Sequence, residues 1–229
     1  MDRHLTIDVV NKLELECRRL SSFEIDLTQR EEHLWAGMTS ACRGCIRKAQ
    51  KTGVTVEEIH DIRFADEYYA QLQEVFGRQS LVPPYSVVRV RELIRSLGDS
   101  SHLLLLRAVD PTGRCIATGI FPAMNGTMYF WGGASWRASL GYRPNEAIHW
   151  YAMRYWKARG IQRYDMGGGG EYKRKFGGRE ISVPWIRASK YRSVASCREL
   201  AKWAMLFSRR IRGRGWNVRG GVFMSGVGV

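Results

Sequence analysis

No stretch of this 229-residue chain stays apolar for long. The most apolar run, Leu103 to Leu106, stops at Arg107, far short of the ~20 residues that a membrane-spanning helix needs. No succession of basic, apolar and small residues opens the chain, so a cytoplasmic protein is expected. Cysteine is sparse and odd in number, at positions 17, 42, 45, 115 and 197, which does not fit a secreted disulfide framework. Cys42-Arg-Gly-Cys45 has the spacing of half a zinc site, yet no second pair and no His-x-x-x-His follows, so no metal is expected. Phosphate-loop patterns are also missing. Four glycines occupy 167–170, but both Gly-x-x-x-x-Gly-Lys-Ser/Thr and Gly-x-Gly-x-x-Gly break at Tyr172.

Acidic residues are few, 22 against 36 basic ones, for a formal charge of +14. Such an excess favours an anionic partner, whether RNA, a phosphorylated small molecule or an acidic membrane surface. The imbalance peaks toward the C-terminus, where the basic residues from Arg187 onward face Glu199 alone. Around Trp203, Leu206 and Phe207 this basic arm suits an anionic membrane or RNA phosphates. A C-terminal helix that covers the sheet and sends its charges to water fits equally. The remaining composition, 45% hydrophobic and 25% charged, is that of an ordinary folded domain.

Residues 1–26 are weakly patterned, with Leu13, Cys17 and Leu20 at helical spacing. Thr28 precedes Glu31 by three, as in a capping box, and Leu34, Met38, Cys42, Cys45, Ile46 and Ala49 continue a helix to Gly53. Its other face, with Arg43, Arg47, Lys48 and Lys51, reads as a solvated surface or an anion-binding one. A strand over 54–59, a helix over 65–76, the Pro83-Pro84 break and a helix over 88–97 follow. Strand-like runs at 103–109, 115–121 and 127–131, separated by turn sequences at 110–113 and 125–126, predict an antiparallel meander. Pro144 and Asn145 open a helix ending at Gly160, and a strand over 161–166 returns by that crossover, parallel to a neighbour. The expected fold class is α+β, a mixed central sheet with an antiparallel meander and helices on both faces. Residues 1–26 form an extension, 27–184 the domain, and 185–229 a basic C-terminal helix and tail.

Three stretches in this order resemble the GNAT acyltransferase fold, in its FemAB-type branch of peptidoglycan-bridge aminoacyltransferases and related acyl-CoA-dependent enzymes. They are Arg43-Gly-Cys-Ile-Arg-Lys-Ala-Gln-Lys-Thr-Gly53, Arg143-Pro-Asn-Glu-Ala-Ile-His-Trp150, and Tyr164-Asp165-Met-Gly with Tyr172-Lys173-x-x-Phe176-Gly177. Two features depart from the pattern. FemAB-type proteins often carry two such domains, whereas this chain has room for one, and in Arg137-Ala-Ser-Leu-Gly-Tyr142 the glycine of the CoA phosphate loop is out of register.

The resemblance implies transfer of an acyl or aminoacyl group, from aminoacyl-tRNA or acyl-CoA as co-substrate, onto an amine of a peptide or envelope-precursor acceptor. No tightly bound cofactor is implied, and the basic arm offers a peripheral membrane contact. Tyr129 and Trp131 would form one wall of the donor site, with Gly167, Gly168 and Phe176 on the other. Lys173 would stabilise developing negative charge or hold the acyl carbonyl, with Tyr172 beside it, unless it is one more surface lysine. Asp165 would take the amine's proton or hold the glycine turn. His149 is either a titratable partner or a packed core residue. Arg137, Arg143 and Asn145, at the start of the helix, would meet the donor's phosphates. A non-catalytic RNA- or membrane-binding module on a degenerate scaffold is the alternative.

Overall fold

The computed structural model describes residues 16–98, 100–187, 197, 200 and 201. In chain order they form β1 (Glu16–Asp26), α1 (Glu31–Gly37), α2 (Ser40–Lys51), β2 (Thr55–Ile59), α3 (Phe64–Gly77), α4 (Val87–Leu97), β3 (Leu103–Val109), β4 (Cys115–Met124), β5 (Thr127–Tyr129) and β6 (Gly132–Ser135). A 3-10 turn (Arg137–Tyr142), α5 (Pro144–Ala158), β7 (Arg163–Asp165), α6 (Glu171–Arg174) and β8 (Arg179–Arg187) complete them. Of the described residues, the larger of two compact units holds 21–181, and the smaller holds 16–20 and those from 182 onward.

The eight strands form one mixed sheet in the order β2-β3-β4-β5-β7-β1-β8, with β6 also on β4. Strands β2 to β5 pair antiparallel, as the meander requires, while β5 and β7 are parallel, as the α5 crossover requires. Alternation along β3 explains its unbroken leucine run. Leu104, Leu106 and Ala108 enter the core beneath α1, α2 and α5, whereas Leu103 and Leu105 enter the core beneath α3 and α4. A strand covered on both faces has no polar side to show in its sequence.

Three expectations are corrected. Residues 16–26 form a strand, because Phe23, Ile25 and Leu27 are buried at a period of two; Leu13 lies outside the described residues. Thr28 caps no helix. Its N–H and hydroxyl both bond to the Asp26 carboxylate, at 2.9 and 2.6 Å, making a side-chain-closed turn. The single helix expected over this stretch is instead two, broken where Thr39 N–H donates to Lys175 O at 2.9 Å and its hydroxyl accepts from Cys42 N–H at 3.2 Å. At the other end, residues 185–187 continue β8. Of the basic arm beyond, Cys197, Leu200 and Ala201 are helical and exposed, and its remaining residues lie outside those described.

Register slips twice in the meander, once between Ala108 and Val109 against β4 and once beyond β5; the second slip shapes the site. Ala123 faces Met128 but Ile120 faces Gly132, so Tyr129, Phe130 and Trp131 oppose only Phe121 and Pro122. This is a β-bulge. Ala123 N–H points to His102 O, just before β3, so the nitrogen of Pro122, one residue earlier, faces the bulge, where no ladder donor is needed.

Gly177 closes the segment after α6 at φ +84°, with an added Cβ lying 2.6 Å from Gly37 O. Both the backbone sign and the backbone obstruction exclude a side chain there. Gly177→Ala is expected to destabilise the fold by about 2 kcal/mol or more, read as a lower urea midpoint at unchanged slope.

Candidate functional site

The bulge determines where the sheet opens. Parallel pairing of β5 with β7 runs from Thr127 opposite Arg163 to Tyr129 opposite Asp165, and the last shared bond is Phe130 N–H to Asp165 O, 2.9 Å. One residue on, the two strands choose different partners. Trp131 N–H turns back to Ile120 O on β4 at 3.0 Å, and Met166 N–H donates to Phe23 O on β1 at 2.9 Å. Among the described residues β6 pairs with β4 alone, so its other edge faces the gap. Main-chain groups along such an edge are rigid, directed donors and acceptors.

Asp165 ends β7 at this fork and is buried. Its Oδ1 accepts from Ser22 Oγ at 2.5 Å and from Gly167 N–H at 2.9 Å. The carboxylate thereby ties β1 to the glycine turn. Gly167, Gly168 and Gly170 adopt φ of +62°, +65° and +131°, conformations that glycine enters without steric cost. That folds the chain back sharply enough for α6 to bring Lys173 under the turn, its Nζ 3.4 Å from Gly168 O.

Lys173 is 2% exposed. Burial pushes its amine down to about 8, against the opposing pull of the Asp165 carboxylate. An ammonium there is poorly solvated and close to losing its proton, unlike a surface lysine.

Behind the turn lies an aromatic core. His149 Nδ1 is 2.6 Å from Tyr164 Oη, and its ring packs on Phe130, Phe176 and Tyr172. Burial, then Lys175 and Lys173, pushes the imidazole down to about 3, so it is neutral and structural. Lys175 lies 3.6 Å above the Tyr172 ring and donates to the buried Glu146 at 2.6 Å. That pair holds the start of α5 against the segment after α6. Burial, then Glu146, raises the Tyr172 phenol.

The fold therefore brings Lys173, Asp165, Gly167, Gly168 and Tyr129 to one fork, while Tyr172 and Phe176 pack into the core beside it. Trp131, past the bulge, turns to the opposite face and packs on Tyr85 at 4.9 Å. Asn145 Nδ2 donates to Ser135 Oγ at 3.2 Å, linking β6 to α5. Arg143 is exposed at left-handed φ +61° before α5, and the Arg137 N–H donates to Glu74 Oε1 at 3.1 Å. A carboxylate thus occupies that turn's first amide.

Ser22, Glu146, Lys175 and the hydrogen-bonded pair Tyr68 and Tyr85 escape sequence reading. The period-two alternation of Phe23, Ile25 and Leu27 was the signal that could have placed Ser22 on a strand.

The chain matches the family model described as Acetyltransferase (GNAT) domain over residues 38–174. A search of curated proteins finds no match. Among solved structures it is similar to FemX at 13% identity and TM-score 0.68, over 79% of this chain and 67% of that one. It is also similar to L-PGS from Bacillus licheniformis at 13% identity and TM-score 0.57, over 91% and 70% of the two chains. A C-terminal domain of a putative lysylphosphatidylglycerol synthetase from Agrobacterium fabrum aligns at 10% identity and TM-score 0.54, over 80% and 65%. The chain spans about two thirds of each neighbour's length.

Two stability outcomes follow from the fork. Ser22→Ala leaves a buried carboxylate one donor short and should cost roughly 1.5–3 kcal/mol by urea denaturation. Lys173→Met should raise the melting temperature near neutral pH, because it removes a charge that burial disfavours. The sign is set by linkage: with the native amine near 8 and the unfolded one higher, the unfolded chain holds more protons between the two values. Wild-type stability therefore gains a rising contribution from this site across that interval, which the variant lacks. Melting both proteins across that pH range checks it.

Proposed function

Since the chain belongs to the Acetyltransferase (GNAT) domain family and has the fold of its FemAB-like branch, we propose that this acyltransferase joins an aminoacyl or acyl group to a primary amine, with the reacting carbonyl in the fork between β6 and β7. One observation carries the reading: a buried lysine held under a glycine turn at the point where the two strands part.

A neutral amine attacks the donor carbonyl, forming the C–N bond and placing negative charge on the carbonyl oxygen. Collapse then breaks the bond to the leaving oxygen or sulfur, which takes up the proton shed by the new amide nitrogen. Main-chain donors of the β6 edge and the Lys173 ammonium stabilise the oxyanion, and a buried ammonium does so more strongly than a solvated one. Asp165, with two donors on one oxygen, holds the glycine turn and favours the charged form of Lys173. That role suits it better than proton abstraction.

The proposed donor is aminoacyl-tRNA. The charge of +14 supports a polyanion, and the Glu74 carboxylate at the Arg137 amide disfavours a pyrophosphate against that turn. Acyl-CoA is the second reading. The proposed acceptor is an amine of a peptide or envelope precursor, carried over from the FemAB-type resemblance. Arg143 and Asn145 are the proposed contacts to donor phosphate, with Tyr129, Gly167 and Gly168 along the fork.

Calorimetry with a charged tRNA, or a mimic of its aminoacylated 3′ end, and separately with acetyl-CoA, each at two salt concentrations, tests the donor. Affinity for tRNA that falls steeply with salt is expected; saturable, salt-insensitive CoA binding selects the second reading, and binding of neither overturns both. Lys173→Ala should lower turnover by about 100-fold or more, and retention of most activity would sink the assignment. Wild-type activity should decline as pH rises through about 8, because the ammonium is lost. Lys173→Arg should move that decline upward, since guanidinium keeps its charge.

A further inference from the structure

The connection between α3 and α4 has a composition that a solvated loop does not require. From Val75 to Arg91 the sequence holds Arg78, Arg89 and Arg91 and no acidic residue; from α3, Glu74 lies 4.0 Å from Arg78 and Asp66 pairs with Arg91 at 2.5 Å. Val82 at its tip is 83% exposed and Val88, in the first turn of α4, is 50% exposed. Among the described residues only Met124, Leu140 and Leu200 join them as exposed large apolar side chains.

The tip is nevertheless held firmly. Leu81 N–H bonds to Phe76 O at 3.0 Å, Pro83-Pro84 stiffens the return, and Tyr85 Oη meets the buried Tyr68 Oη at 2.6 Å. Tyr85 also packs on Trp131. Apolar side chains presented outward from an anchored base, among arginines, match the two layers of an anionic bilayer surface.

We propose that the surface formed by residues 77–89 docks on an anionic lipid bilayer, Val82 and Val88 entering the interface and Arg78 and Arg89 meeting phosphate headgroups. A narrow two-valine tip is small beside the ~800 Å² that a stable protein partner covers on each side, whereas a lipid surface needs only a few inserted side chains and complementary charge. Because Tyr85 packs on Trp131, next to the residue that makes the last β5–β7 bond, docking would set the fork close to the headgroup layer. The inference stands apart from the transfer reaction proposed above and is tested without it.

Hydrogen exchange of the full chain, followed by mass spectrometry, is measured with vesicles of phosphatidylcholine alone and of three parts phosphatidylcholine to one of phosphatidylglycerol. Slower exchange in peptides covering residues 77–89 with the anionic vesicles is expected. Val82→Asp combined with Val88→Asp should lower partitioning onto those vesicles by about tenfold in ~0.15 M salt, where long-range attraction is screened. Both sites are exposed, and an unchanged melting curve establishes that the variant folds. No protection over 77–89, protection confined to residues 188–229, equal protection by neutral vesicles, or a double variant that partitions like the wild type would each overturn the proposal.

Discussion

One hydrogen bond, Phe130 N–H to Asp165 O at 2.9 Å, is the last that β5 and β7 share, and the candidate site depends on the strands separating just beyond it. A parallel pair would ordinarily continue its ladder until one strand ends. Here the bulge opposite Phe121 and Pro122 re-aims the chain toward β4, while Met166 is drawn to Phe23 on β1. Two competing ladders pull the strands apart, and the gap between them is a consequence of backbone pairing and not of any single side chain. Such a site can be rigid without being filled.

Around the fork the protein buries polar groups in an ordered way. Asp165 has donors from a strand and a turn, Glu146 has Lys175, and His149 has the Tyr164 hydroxyl. Each of these satisfies a group whose desolvation would otherwise weigh against folding. Lys173 differs in degree: its Nζ lies 3.4 Å from the Gly168 carbonyl, and burial lowers its amine toward neutrality. A cation maintained at such a disadvantage is what electrostatic assistance to a developing oxyanion requires, and it is held at the expense of stability.

The two faces of the sheet divide the work. Beneath α1, α2 and α5 lies the aromatic packing that supports the glycine turn and α6. Beneath α3 and α4 the cluster is smaller, and it carries Trp131, Tyr85 and the exposed tip at Val82. Both faces meet at the bulge, where Phe130 points to one and Trp131 to the other.

Much of this organisation was legible in the residues. The strands over 103–129, the α5 crossover, the parallel return to Asp165 and the glycine turn follow from alternation, turn sequences and helix punctuation, all local signals. Lys173 and Asp165 were candidates because of their position after that strand. Other features had no local trace. Helical spacing of Leu13, Cys17 and Leu20 obscured the strand in which Ser22 meets Asp165, 143 residues away. The break at Thr39 depends on a carbonyl at Lys175, and the turn of Trp131 away from the fork depends on a register slip against β4. Helix and strand segments with strong periodicity, the charge and the family resemblance are all properties of local residue patterns. Which polar groups meet, which lysine loses its water and where the sheet opens depend on pairing between distant strands, which no local pattern encodes.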